Sequence, residues 1–230
     1  SVDIDKDGDT DILFLSQDKI FVIRNPGKSN FTLSKFTISE LSYNQRPGFP
    51  TGSLMGGSAI VAADFDRDGD VDIVCGSVEW VDHLVYYAND GTGNFTRYEI
   101  PITNTNCIGT TGIAAGDFNN DGLLDIMCSN DRWRSGNLAR LYMFKNKGNI
   151  ESGGIPVNFE FRCLNDCNPI NSPGYDDDII VAVDVDNDGD MDIITADAND
   201  SGNYFLFING LASVYTLFGE ARPTNIMPGL

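Results

Sequence analysis

Four stretches of this chain repeat one pattern: DIDKDGDTDIL from Asp3, DFDRDGDVDIV from Asp64, DFNNDGLLDIM from Asp117 and DVDNDGDMDII from Asp184. Their starts lie 61, 53 and 67 residues apart. Self-similarity at this period marks a repeat architecture, in which each copy is one supersecondary unit. A single irregular core would have no reason to place the same loop four times.

The similarity extends into the flanks. Three copies are preceded by a short apolar run, SAIVAAD, GIAAGD and IIVAVD. All four are followed by a second run that ends in asparagine: IFVIRN (20–25), LVYYAN (84–89), LYMFKN (141–146) and YFLFIN (204–209). A glycine-bearing turn and another strand-like segment come next, as in FTRYEI and FEFRCL. Runs this short, rich in β-branched and aromatic residues and bounded by Gly, Asn and Asp, read as strands. One unit is therefore strand A, the aspartate loop, strand B, a loop, strand C, a tight turn and strand D. Four-stranded antiparallel units repeated around an axis are the blades of an all-β propeller; a sandwich would not explain four identical loops. The first copy lacks strand A, and RPTNIMPGL after the last copy is a poor strand, so the chain is read as about four blades of a larger propeller. It opens without a methionine or a signal-peptide pattern, which suggests a processed product or a piece of a longer chain.

Numbering each loop from its first aspartate puts carboxylate or amide side chains at positions 1, 3, 5 and 9. These are Asp3, Asp5, Asp7 and Asp11; Asp64, Asp66, Asp68 and Asp72; Asp117, Asn119, Asp121 and Asp125; and Asp184, Asp186, Asp188 and Asp192. Position 6 is always glycine. Hard oxygen donors at alternate positions around a glycine turn suit calcium, and soft metals or redox iron fit them poorly. Position 7 is Asp9, Asp70, Leu123 and Asp190. Leucine has no ligating side chain, so this position is expected to offer its backbone carbonyl, with the aspartates adding only long-range charge. Loop three, with Asn119 and Leu123, is expected to bind most weakly. An EF-hand needs a glutamate at position 12; here that position is Phe14, Cys75, Cys128 and Thr195, and the motif opens onto a strand.

These loops and strands resemble the FG-GAP (VCBS-type) repeats of integrin α-subunit propellers and of many secreted proteins. The resemblance covers nearly the whole chain, residues 1–230, with repeats at about 1–42, 57–102, 112–164 and 178–222. It implies calcium bound through positions 1, 3, 5 and 9 and the carbonyl of 7, about four ions in all, holding strand A to strand B. The loops carry 18 of the 34 acids, so the uncompensated chain should repel itself there.

Charge narrows the partners. A net charge of −19 disfavours nucleic acid and anionic membranes and favours cations. No apolar run approaches the ~20 residues that span a bilayer. Both tryptophans, Trp80 and Trp133, occupy the same place in the B–C loop, with His83 and Arg132 nearby. They suit recognition of a protein or glycan, or they pack between blades. The long connectors and B–C loops share one face of such a propeller, opposite the aspartate loops. The five cysteines map near that face, where disulfides would pin its loops; Cys163 and Cys167 are the closest pair in sequence. Asn30, Asn94 and Asn199 stand in N-glycosylation sequons. One histidine and no nucleophile elbow or phosphate loop leave little for catalysis. The expectation is a non-enzymatic, extracellular, calcium-stabilised module that binds a protein or glycan, or assembles with itself. The alternatives are an accessory domain of a secreted enzyme, or a lectin.

Overall fold

The computed structural model describes residues 2–16, 19–27, 37–42, 57–77, 83–102, 110–130, 140–148, 156–163, 177–197, 204–207, 209 and 214–216. Among these residues every regular element is a β-strand. Sheet one holds β1 (Ile12–Ser16), β2 (Lys19–Arg24) and β3 (Thr37–Ser42). Sheet two holds β4 (Gly57–Ala63), β5 (Asp72–Ser77), β6 (His83–Asn89) and β7 (Phe95–Pro101). Sheet three holds β8 (Thr110–Gly116), β9 (Asp125–Asn130), β10 (Arg140–Asn146) and β11 (Phe159–Cys163). Sheet four holds β12 (Asp177–Val183), β13 (Asp192–Asp197), β14 (Tyr204–Phe207) and β15 (Val214–Thr216). Within each sheet the strands pair in chain order, always antiparallel. The A strands β4, β8 and β12 neighbour one another in succession, as the innermost strands of successive blades do. This is a β-propeller-like all-β repeat fold.

The regularity reaches into irregular detail. The pairing of strands A and B shifts by one residue at Gly57/Ala59, Thr110/Gly112 and Asp177/Ile179, so the same bulge recurs in three sheets.

The core lies between sheets. In β6, Leu84, Val85, Tyr86 and Tyr87 are all buried. Successive strand side chains point to opposite faces, so a continuous apolar run means that both faces are covered. Ile20 and Val22 meet Ile73, Cys75, Val85 and Tyr87 between sheets one and two. Phe65, Tyr86 and Ile100 meet Ile126, Tyr142 and Phe144 between sheets two and three. Phe118, Met127 and Met143 meet Ile180 and Ile193 between sheets three and four. Gly76 of β5 makes one such approach possible, because a Cβ there would collide with Thr110 of β8.

Cys75 and Cys128 belong to these interfaces. Both are buried thiols in the packing between sheets, which corrects the expectation that all the cysteines would tie loops on the outer face. Burial pushes the Cys75 thiol well above its ordinary pKa, as a small apolar filler requires. Cys107 and Cys167 lie outside the described residues, as does the side chain of Cys163.

Candidate metal centres

Each aspartate loop winds through two left-handed positions. Position 6 is glycine, at φ 88° in Gly8 and Gly69, 81° in Gly122 and 100° in Gly189. Position 4 is not: Lys6, Arg67, Asn120 and Asn187 hold φ between 55° and 61°. An L-residue resists this region, so the loop's own hydrogen bonds must hold it there. The position-1 carboxylate receives the position-6 N–H, from Gly8 to Asp3 at 3.0 Å, Gly69 to Asp64 at 3.1 Å, Gly122 to Asp117 at 2.7 Å and Gly189 to Asp184 at 3.2 Å. The position-5 carboxylate receives the position-7 N–H, from Asp9 to Asp7 at 2.9 Å, Asp70 to Asp68 at 2.8 Å, Leu123 to Asp121 at 3.0 Å and Asp190 to Asp188 at 2.9 Å.

Position 9 begins strand B, except that Asp11 stands one residue before β1. Asp11, Asp72, Asp125 and Asp192 are all buried. One oxygen receives the position-2 N–H, as from Ile4 to Asp11 at 2.9 Å and Val185 to Asp192 at 2.8 Å. The other receives the N–H of the asparagine that ends or follows strand C, from Asn25, Asn89, Asn146 and Asn209 at 2.7–3.0 Å. Tyr86 also donates its hydroxyl to Asp72 at 2.7 Å. A carboxylate so placed joins the aspartate loop to strands B and C of its own sheet. Burial nevertheless pushes the Asp72 carboxyl up to about 6, and raises Asp125 as well.

Three groups of carboxylates converge: Asp3, Asp5 and Asp11; Asp64, Asp66 and Asp72; Asp184, Asp186 and Asp192. In each group, one oxygen from every member lies within 4.8 Å of the others. The residues fit a hard cation by a stricter test. The Oδ1 atoms of Asp3, Asp5, Asp64 and Asp184 are buried and accept no hydrogen bond. Buried carboxylate oxygens without a donor are costly. A divalent ion is the natural partner for several of them at once. Desolvation, then the charges of Asp7 and Asp11, raise the Asp5 carboxyl; desolvation likewise raises Asp66 and Asp186.

The groups unite positions 1, 3 and 9. The position-5 residues Asp7, Asp68 and Asp188 stand exposed outside them, each with an oxygen committed to the position-7 N–H. Loop three differs in its polar contacts. Asn119 at position 3 donates its amide to Asp125 Oδ2 at 2.6 Å, and Asp121 lies 3.4 Å from Lys145.

Position 7 is more than a source of distant charge. Its side chain lies over the C–D turn of its own sheet, Asp9 against Gly27, Asp70 against Gly91 and Leu123 against Gly148. Asp70 is only 9% exposed and pairs with Lys6, the position-4 residue of the preceding loop. Asn120 reaches Asp190 by the same step, from loop three to loop four. Arg24 spans the first junction too, donating to the Gly93 carbonyl at 2.6 Å with Asp5 3.5 Å away. Positions 4 and 7 thus link neighbouring loops, a contact between residues some seventy apart that no local pattern announces.

The strand-C asparagines are a second feature that sequence reasoning did not interpret. Asn89 donates to the Ile4 carbonyl at 2.9 Å, Asn146 to Phe65 at 2.9 Å and Asn209 to Phe118 at 2.6 Å. Each acceptor is position 2 of the preceding loop. Their recurrence at the end of all four strands was the available signal.

Of the other expected site residues, Trp80, Arg132, Trp133, Asn30 and Asn199 lie outside the described residues. The backbone of His83 opens β6. Asn94 is exposed, and its amide donates to Asp90 at 3.1 Å and to Thr92 at 2.8 Å in the turn between β6 and β7. Among the described residues no helix is long and apolar enough to cross a membrane.

No curated protein matches the chain. The model of the FG-GAP-like repeat matches residues 3–75 and again 64–128, each match running from one aspartate loop through the strand after the next. Together the matches span more than half of the 230 residues and contain the first three aspartate loops with the strands of sheets one and two, so the chain belongs to the FG-GAP-like repeat family.

Proposed function

We propose that this chain is a calcium-stabilised, extracellular interaction module without catalytic activity. FG-GAP repeats are interaction or adhesion modules in general. The observation that carries the calcium reading is the set of buried Oδ1 atoms of Asp3, Asp64 and Asp184, members of the three convergent groups, which accept no hydrogen bond. Positions 1, 3 and 9 would offer carboxylate oxygens to the ion, and position 7 its carbonyl. The ion would supply the positive charge that these carboxylates lack, holding strand A and its loop to strands B and C through the position-9 aspartate. Loops one, two and four would hold calcium more tightly than loop three, where Asn119 already occupies Asp125. Millimolar extracellular calcium fills sites of modest affinity, which favours an address outside the cell. The partner would be a protein or a glycan held on the face opposite the aspartate loops.

Calorimetric titration of chelator-treated protein with calcium tests the reading, together with thermal melts in calcium and in chelator. Saturable binding and a melting temperature several degrees lower in chelator are expected. Identical melts in both solutions would overturn it.

A further inference from the structure

Loop three closes differently from its three siblings, at the very atoms that would face an ion. In loops one, two and four the position-1 carboxylate accepts the position-6 N–H through Oδ2, and its buried Oδ1 accepts no hydrogen bond. In loop three both oxygens of Asp117 are taken, Oδ2 by the Gly122 N–H at 2.7 Å and Oδ1 by the Asp121 N–H at 3.1 Å.

The cause is the residue at position 3. In loops two and four the position-5 N–H turns to a position-3 carboxylate, from Asp68 to Asp66 at 3.2 Å and from Asp188 to Asp186 at 3.3 Å. Position 3 of loop three is Asn119, whose amide can donate as well as accept. It donates to Asp125 Oδ2 at 2.6 Å, so position 3 attracts position 9 instead of repelling it. The Asp121 N–H goes to Asp117 in its stead. Asp125 Oδ1 is held in turn by the Asn146 N–H at 2.7 Å. Each of the four oxygens of Asp117 and Asp125 therefore has a donor from the protein itself.

The charge follows the same course. Loop three carries three carboxylates where each of the others carries five. Lys145 lies 3.4 Å from Asp121, and the Arg67 guanidinium reaches over Gly122 from loop two. A basic neighbour alone does not distinguish the loop, since Arg24 stands 3.5 Å from Asp5 and Lys6 pairs with Asp70. Here, however, the cations meet fewer acids, and no buried carboxylate oxygen of the loop lacks a donor. A calcium ion, which takes about six to eight oxygens, would have to break the Asn119–Asp125 bond to enter.

We propose that loop three takes no ion: Asn119 closes it in calcium's place, and the chain binds three divalent ions, at loops one, two and four. The proposal rests on the calcium reading of those three loops and replaces the expected fourth ion with a hydrogen-bonded clasp. Strand A of sheet three is then held to strand B with or without calcium. Withdrawing the ion loosens the loops on either side and leaves this one closed.

Calorimetric titration of the chelator-treated chain with calcium, followed in parallel by the amide resonances of the position-6 glycines, tests it. The expected stoichiometry is three, with the Gly8, Gly69 and Gly189 resonances moving to saturation and Gly122 staying in place. Asn119→Asp removes the donor and restores a position-3 carboxylate, so it should raise the stoichiometry to four and make Gly122 move with the rest. Should that variant lose its fold, the wild-type stoichiometry and the Gly122 resonance still decide. Four ions in the wild type, or a Gly122 resonance that moves with the other three, would overturn the proposal and leave the calcium reading standing. No saturable binding at any loop would overturn both. A folded Asn119→Asp chain that still takes three ions would overturn the role given to Asn119.

Discussion

The side-chain amide of Asn89 spans two sheets, donating to the Ile4 carbonyl at 2.9 Å and to the Val71 carbonyl at 3.0 Å. Its Oδ1 accepts the N–H groups of Gly91 at 3.2 Å and Gly93 at 3.1 Å, and its own N–H goes to Asp72 at 3.0 Å. One side chain thus ties the C–D turn, its own aspartate loop and the loop of the preceding sheet.

Replacing Asn89 by Ala strands two carbonyls and two N–H groups where water has little access. The expected loss is on the order of 3 kcal/mol in denaturant titration, given ~1–3 kcal/mol for an unsatisfied buried group and partial relaxation here. Asn25→Ala removes the intra-sheet bonds alone and should cost about 1 kcal/mol. Equal losses for the two variants would mean that the inter-sheet bond contributes nothing.

How much of this was legible depends on how far apart the interacting residues lie. The alternation of Asp64, Asp66, Asp68 and Asp72 around Gly69 is local, and so were the loop and the strand that follows it. The asparagine ending each strand C was visible as a repeat. Its purpose required knowing that the Ile4 carbonyl lies opposite Asn89, 85 residues away. Position 7 misled for a related reason: Leu123 in one copy argued that the aspartates elsewhere were bystanders, yet Asp70 meets Lys6 across a sheet boundary. Cysteines invited a disulfide reading, although Cys75 and Cys128 share position 12 of their loops and pack between sheets.

Lys6 lies among the acids of loop two, and its amine is raised above the ordinary value, first by the bond to Asp70 and further by the charges of Asp68 and Asp64. Lys6→Met removes a cation from an anionic cluster, which destabilises the calcium-free protein more than the calcium-loaded one. By linkage, calcium affinity at loop two should rise, by no more than about fivefold because Lys6 is half exposed and its pairing is screened. Calorimetric titration of the variant against the wild type reads this. Weaker calcium binding in Lys6→Met would show instead that Lys6 preorganises the loop.

Asp72 gives the pH dependence its sign. Its carboxyl titrates at about 6 in the folded chain against an ordinary 3.8, because burial opposes the charged form. The folded state therefore holds this proton more tightly than the unfolded state does. Its contribution is fully present below pH 3.8 and is lost as pH rises through 6. Asp5, Asp66, Asp125 and Asp186 are raised in the same direction. In chelator, the melting temperature should climb as pH falls from 7 toward 5, the reverse of a protein held by ordinary ion-paired carboxylates. In saturating calcium the slope should vanish or invert, because protons and the ion compete for the same oxygens. Paired melts across this range decide it: a melting temperature in chelator that is flat, or that falls with falling pH, would show that these buried carboxylates do not limit the metal-free fold.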